Sequence, residues 1–179
     1  MIPNILTTVR LLIIPVFAYY MLYAENFWIA AALFLFSGIT DVVDGIIARK
    51  FNMITDVGSV YDPFVDKLMQ LTSVICLTIK GIVPLWVIII VAVKEVTMIT
   101  VGSILYIKKI VVRSNWYGKA ATVFFYGVIL LLICYPEMDF VFKTVILSLL
   151  VLVLFLAAVG YLVKITGSNG EEIYKKKAN

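Results

Sequence analysis

The feature that most limits what this chain can become is its repeated apolar stretches. Residues 5–24, 27–48, 58–79, 84–107, 117–135 and 140–163 are each predominantly apolar. Each is close to the roughly 20 residues a helix needs to cross a bilayer's hydrocarbon. The 179 residues are 63% hydrophobic, with a mean hydropathy of +1.08, against roughly 45–50% apolar content in soluble domains. Backbone groups in hydrocarbon must be satisfied internally, and the chain lacks the alternation of a membrane strand, so helices are required. The expected fold is an all-α integral membrane protein of six transmembrane helices in one bundle. Residues 1–166 form its membrane domain and 167–179 a solvated basic tail.

Charge orients the bundle. The connections at Arg49-Lys50 and at Lys108, Lys109, Arg113 and Lys119 are basic, as is the tail from Lys164 to Lys177, whereas those at Glu25, Lys80 and Glu137 to Asp139 carry little positive charge. The positive-inside rule then predicts both termini in the cytoplasm, and an even helix count agrees. The expected location is the cytoplasmic membrane, with the basic connections, and the ends of the second and third spans beside them, facing the cytoplasm. The net charge of +4 fits basic loops over anionic headgroups, which makes lipids the expected partners and nucleic acid an unexpected one. No basic region precedes the first apolar run and no small-residue cleavage site follows it, so no signal peptide is expected. Trp28, Trp86 and Trp116 lie near span ends, as interfacial aromatics do.

The chain has no histidine, which removes imidazole as base, nucleophile or ligand. Cys76 and Cys134 lie in apolar runs without the spacing of a zinc site and read as packing. Acid-base work therefore falls to carboxylates, Lys or Tyr. The carboxylates are concentrated: Asp41, Asp44, Asp62 and Asp66 fall within 26 positions, across the end of the second span and the start of the third. On helices, 41, 44, 45 and 48 share one face and 58, 62 and 66 another. An aspartate at the centre of a spanning helix costs roughly 2.5–3.5 kcal/mol, and four ionised ones repel, so positive charge must sit among them. Oxygen donors without His or paired Cys favour Mg2+ or Mn2+. Two such ions about 3.5–4 Å apart suit in-line displacement at phosphorus. Gly45, Ala48 and Gly58 leave room on the same faces for a pyrophosphate to approach, and the planar fork of Arg49 can reach its oxygens.

The run Asp41-Val42-Val43-Asp44-Gly45-Ile46-Ile47-Ala48-Arg49, eight further residues, then Gly58, Asp62 and Asp66 matches DxxDGxxAR and GxxxDxxxD. In this the sequence resembles the CDP-alcohol phosphatidyltransferases. The resemblance implies a six-helix membrane fold and a homodimer, with Asp41, Asp44, Asp62 and Asp66 binding metal and Asp66 also the general base. It places Gly45, Ala48, Arg49 and Gly58 at the CDP-linked donor. The opening Pro3-Asn4-Ile5-Leu6-Thr7-Thr8-Val9-Arg10, Asp62-Pro63-Phe64-Val65-Asp66-Lys67 and Gly118-Lys119 are similar to bacterial phosphatidylglycerophosphate synthases. Lys94 and Ala120-Ala121-Thr122 depart from their pattern. That likeness adds Asn4 and Thr7 to the nucleotide site.

The implied reaction is attack by an acceptor hydroxyl on the lipid-side phosphorus of CDP-diacylglycerol, releasing CMP. A glycerol 3-phosphate acceptor brings about two negative charges, which Arg10, Arg113 and Lys119 are placed to meet, with Lys67 and Lys94 as further candidates. Alternatives are a cardiolipin synthase of the same family using phosphatidylglycerol, phosphatidylinositol-phosphate synthesis and, from a different class, a divalent-cation or proton-coupled transporter. A transporter would carry midplane sites and broken helices; here the acids gather near one face.

Overall fold

The computed structural model describes residues 2–50, 56–107 and 116–167. Side-chain surroundings are described for 7–43, 64–98, 100, 118, 120–160 and 163. The described residues form six helices and no strand: α1 (Ile2–Leu22), α2 (Phe27–Lys50), α3 (Asp56–Ile79), α4 (Leu85–Ile107), α5 (Trp116–Cys134) and α6 (Phe140–Gly167). Each apolar stretch of the sequence became one helix, because uninterrupted apolar runs can satisfy their backbone only by coiling.

The breaks between helices are chemically marked. Asn26 caps α2, its side-chain oxygen accepting from the Ile29 amide at 3.2 Å, and Asp139 caps α6 through the Val141 amide at 3.1 Å. At the end of α3, Gly81 adopts φ +70°. Its amide donates to the Thr78 carbonyl at 3.0 Å, and the Ile82 amide donates to Leu77 at 2.9 Å. This pair of bonds closes the helix only with a left-handed residue, which glycine supplies without a Cβ clash. The α1–α2 connection leans on this turn through an ion pair between Glu25 and Lys80.

The helices pack as a ring. Neighbours run α1–α2–α5–α6–α4–α3 and back to α1, while α3 also touches α2 and α5 across the interior. Phe17, Met21, Phe34, Met69, Leu77, Phe125, Ile129 and Leu132 fill the centre. Among the described residues, the stretch Phe140–Gly160 of α6 is long and apolar enough to cross a membrane, with mean hydropathy 2.7. Thr7–Leu22, Phe27–Val43 and Ala120–Cys134 form shorter apolar stretches.

Large apolar side chains lie outside as well as inside, and several polar ones are buried. Leu12, Trp28, Phe36, Ile89, Phe140, Val141 and Phe155 are exposed, whereas Thr7, Arg10, Ser37, Gln70, Ser73 and Glu95 are 2% exposed or less. An apolar exterior around an apolar core that also holds polar side chains suits lipid as the surrounding solvent. Lipid tails are as apolar as leucine, so tight packing and bonds between helices must hold such a bundle together. The buried polar side chains supply those bonds.

Candidate active site

Five helices contribute to one interior polar layer. From α1, Arg10 is fully buried, and its Nη1 lies 2.5 Å from Oδ1 of Asp41 on α2, whose side chain is about one-third exposed at 35%. A guanidinium inside an apolar bundle demands such a partner, since an unpaired buried charge is far costlier than a paired one. Thr7, one turn earlier on α1, is buried beside it in sequence and faces the same way.

Asp66 on α3 is held from two sides. The Tyr126 hydroxyl of α5 donates to its Oδ1 at 2.7 Å, and Gln70 Nε2, one turn on along α3, donates to its Oδ2 at 2.8 Å. Gln70 Oε1 accepts in turn from Lys67 at 3.4 Å. The Gln70 carbonyl also accepts from the Ser73 hydroxyl at 2.8 Å. Each carboxylate oxygen of Asp66 has thus accepted one bond and retains capacity for another. On α4, Glu95 is 1% exposed and ion-paired to both Lys67, at 3.1 Å, and Lys94, at 2.5 Å.

Contacts join Tyr126, Asp66, Gln70, Lys67, Glu95 and Lys94 into one chain across α5, α3 and α4, and Arg10 and Asp41 form a pair between α1 and α2. Tyr126, which bonds to Asp66 of α3, also packs against Gly38 of α2, about one turn before Asp41.

The remaining residues singled out in the sequence are placed by backbone alone. Asp44, Gly45, Ala48 and Arg49 continue α2 beyond Asp41, Gly58 and Asp62 precede Asp66 on α3, Asn4 lies on α1 and Lys119 on α5; their side chains lie outside the described residues. Arg113 lies outside them altogether. Among the described residues no group of three or more His, Cys, Asp or Glu gathers to hold a metal. The two described motif carboxylates, Asp41 and Asp66, are oxygen donors, and the chain supplies no imidazole, a donor set suited to Mg2+ or Mn2+.

The sequence profile of the CDP-alcohol phosphatidyltransferase family matches residues 1–163. The chain belongs to this family. It is 35% identical over 131 residues to a CMP-forming cardiolipin synthase of Streptomyces coelicolor, covering 68% of this chain and 59% of that protein. It is 32% identical over 126 residues to a CDP-diacylglycerol–glycerol-3-phosphate 3-phosphatidyltransferase of Aquifex aeolicus, covering 69% and 70%. Two Mycobacterium tuberculosis proteins are each 35% identical over 123 and 124 residues; the chain spans 58% and 59% of their length. A CDP-alcohol phosphatidyltransferase is a membrane-associated, generally divalent-metal-dependent transferase of phospholipid biosynthesis, which accords with the lipid-facing exterior and the carboxylate donors.

Several members of the layer were not identified from the sequence. Gln70 is at helical spacing from Asp66, and that spacing alone would have put it on the same face. Tyr126 and Gly38 carry no such signal, because their roles arise from contacts between α5, α3 and α2.

Proposed function

We propose that this chain transfers the phosphatidyl group of CDP-diacylglycerol to an alcohol, with glycerol 3-phosphate as acceptor and phosphatidylglycerophosphate and CMP as products. The observation that supports the reading is that Asp66 bonds to Tyr126, which packs on α2 about one turn before Asp41, so that the two ends of the family's carboxylate motif are linked through one side chain and its helix. Asp41, Asp44, Asp62 and Asp66 hold two Mg2+ or Mn2+ ions. When bound, these ions neutralise charge on the donor's pyrophosphate. Asn4, Thr7, Gly45, Ala48, Arg49 and Gly58 line the donor site.

In the reaction, Asp66 accepts the proton of the acceptor hydroxyl as its oxygen bonds to the lipid-side phosphorus. The bond from that phosphorus to the bridging oxygen breaks, and CMP leaves with the electron pair. No covalent enzyme intermediate is required. Arg10, Arg113 and Lys119 meet the acceptor's phosphate, with Arg10 also tied to Asp41. The protein works as a homodimer in the cytoplasmic membrane, with both termini and the active site on the cytoplasmic side.

A second reading, phosphatidylglycerol as acceptor, draws support from the described cations. Lys67 and Lys94 are both paired to Glu95, and Arg10 is paired to Asp41. A lipid acceptor carries less charge and needs fewer of them. Purified protein incubated with CDP-diacylglycerol and Mg2+, with glycerol 3-phosphate, phosphatidylglycerol or neither, decides between the readings by CMP release. The expected result is release stimulated by glycerol 3-phosphate. Stimulation by phosphatidylglycerol alone would establish the second reading, and no release with any alcohol would overturn both.

A further inference from the structure

Helix α2 presents a stripe of Phe34, Ser37, Gly38 and Asp41 at positions one turn apart. Tyr126 of α5 lies along this stripe. Its ring stacks on Phe34 at a centroid distance of 4.8 Å and an interplanar angle of 28°. Its edge lies over Gly38 so closely that a Cβ there would stand 3.0 Å from both Cδ1 and Cε1. The ring is therefore fixed on one face by an aromatic and on another by the absence of a side chain. Its hydroxyl then reaches Asp66 on a third helix. Phenolic oxygens inside an apolar bundle need a partner, and the only charge this one contacts by hydrogen bond among the described groups is the Asp66 carboxylate.

We propose that Tyr126, seated on the Phe34–Gly38 step of α2, is a positioning residue that holds the Asp66 carboxylate in its reactive orientation. This inference rests on Asp66 being the working carboxylate of the proposed transfer. A carboxylate on a helix can rotate about two side-chain torsions. Gln70, on the same helix, restrains one oxygen from one side. Tyr126 restrains the other from α5, and because its ring is registered against α2, it also ties the direction of Asp66 to the helix that carries Asp41. Outer partners of this kind orient ligands and bases, and their loss typically costs about 10–100-fold in activity or metal affinity.

Tyr126→Phe removes the hydroxyl and leaves the stacking ring in place. The expected result is a fall in kcat of about 10–100-fold, with the KM for CDP-diacylglycerol changed less than about threefold, since the ring and the helix packing that shape the donor site persist. Mn2+ titration of the purified variant, read by electron paramagnetic resonance, should show weaker binding by a similar factor. Gly38→Ala, which displaces the ring slightly instead of removing its hydroxyl, should move both readouts in the same direction by a smaller factor. In an Asp66→Asn background Tyr126→Phe should add no further loss of Mn2+ affinity, because the group it positions is gone. A kcat within about threefold of the parent, or unchanged Mn2+ affinity, in the correctly folded Tyr126→Phe protein overturns the inference. If Asp66→Asn retains full activity, the assignment of Asp66 as the working carboxylate fails on its own account, while the transfer reading stands or falls on CMP release by the parent protein. If Asp66→Asn is inactive and Tyr126→Phe is normal, only the positioning role fails.

Discussion

Arg10 and Asp66 show how a charged side chain is made tolerable in an apolar bundle: each is matched by partners on another helix, and Asp66 by one on its own helix too. Removing one member of such a pair takes a matching charge away from the other. Arg10→Leu is therefore expected to destabilise the folded protein by about 2 kcal/mol, below the loss seen for fully buried pairs because Asp41 is partly exposed. Thermal unfolding in detergent should show the lower Tm. Pairing the change with Asp41→Leu should recover stability without recovering transfer, which separates the structural contribution of the pair from its chemistry. Asp66→Asn keeps the shape of the side chain and removes its basicity. CMP release should fall by at least about a hundredfold, in line with losing a general base. The aspartates were legible in the sequence by type and spacing. Tyr126 was not, since nothing within α5 distinguishes it from the nine other tyrosines of the chain.

At the scale of elements, the helix ends are where local sequence decides structure most directly. Gly81 is the left-handed residue that closes α3, and a Cβ there would meet open space. Gly81→Ala should therefore cost about 1–2 kcal/mol from backbone strain alone. The measurement is Tm in detergent, and activity per folded molecule should be unchanged, because this turn lies at the opposite end of α3 from the aspartates. Beside it, Lys80 holds the Glu25 carboxyl below its ordinary value of 4.5, first through a hydrogen bond and then through charge. A depressed carboxyl contributes stability that is present above its unfolded value and lost as pH falls through the folded one. The Tm difference between the parent and Lys80→Met should thus be small at neutral pH, because the pair is exposed, and should shrink as the pH is taken below 4.5 and vanish once it has passed the folded value. A difference that grows on acidification would contradict the pairing. The caps at Asn26 and Asp139 follow from the same local chemistry, as does the correspondence between apolar stretches and helices.

For the whole molecule, lipid cannot drive helices together as water does, so the bonds between helices take on the work of assembly. Arg10–Asp41 joins α1 to α2, Lys67–Glu95 joins α3 to α4, and Tyr126–Asp66 joins α5 to α3. The site and the scaffold are largely the same set of side chains. Stripping divalent metal with a chelator should abolish CMP release, and added Mg2+ should restore it, provided the carboxylates hold the ions as proposed. Failure of chelation to affect release would refute the metal assignment. The sequence by itself determined the helices, their number, the lipid-facing character of the chain and the carboxylate motif, because each depends on residue type and on spacings within a turn or two. Tertiary structure alone decided which helices are neighbours in the ring, that Arg10 reaches Asp41 across 31 positions, and that Tyr126 reaches Asp66 across 60. Those contacts depend on how helix faces meet, and an apolar face that fits lipid and another helix equally well carries no local mark of which it will touch.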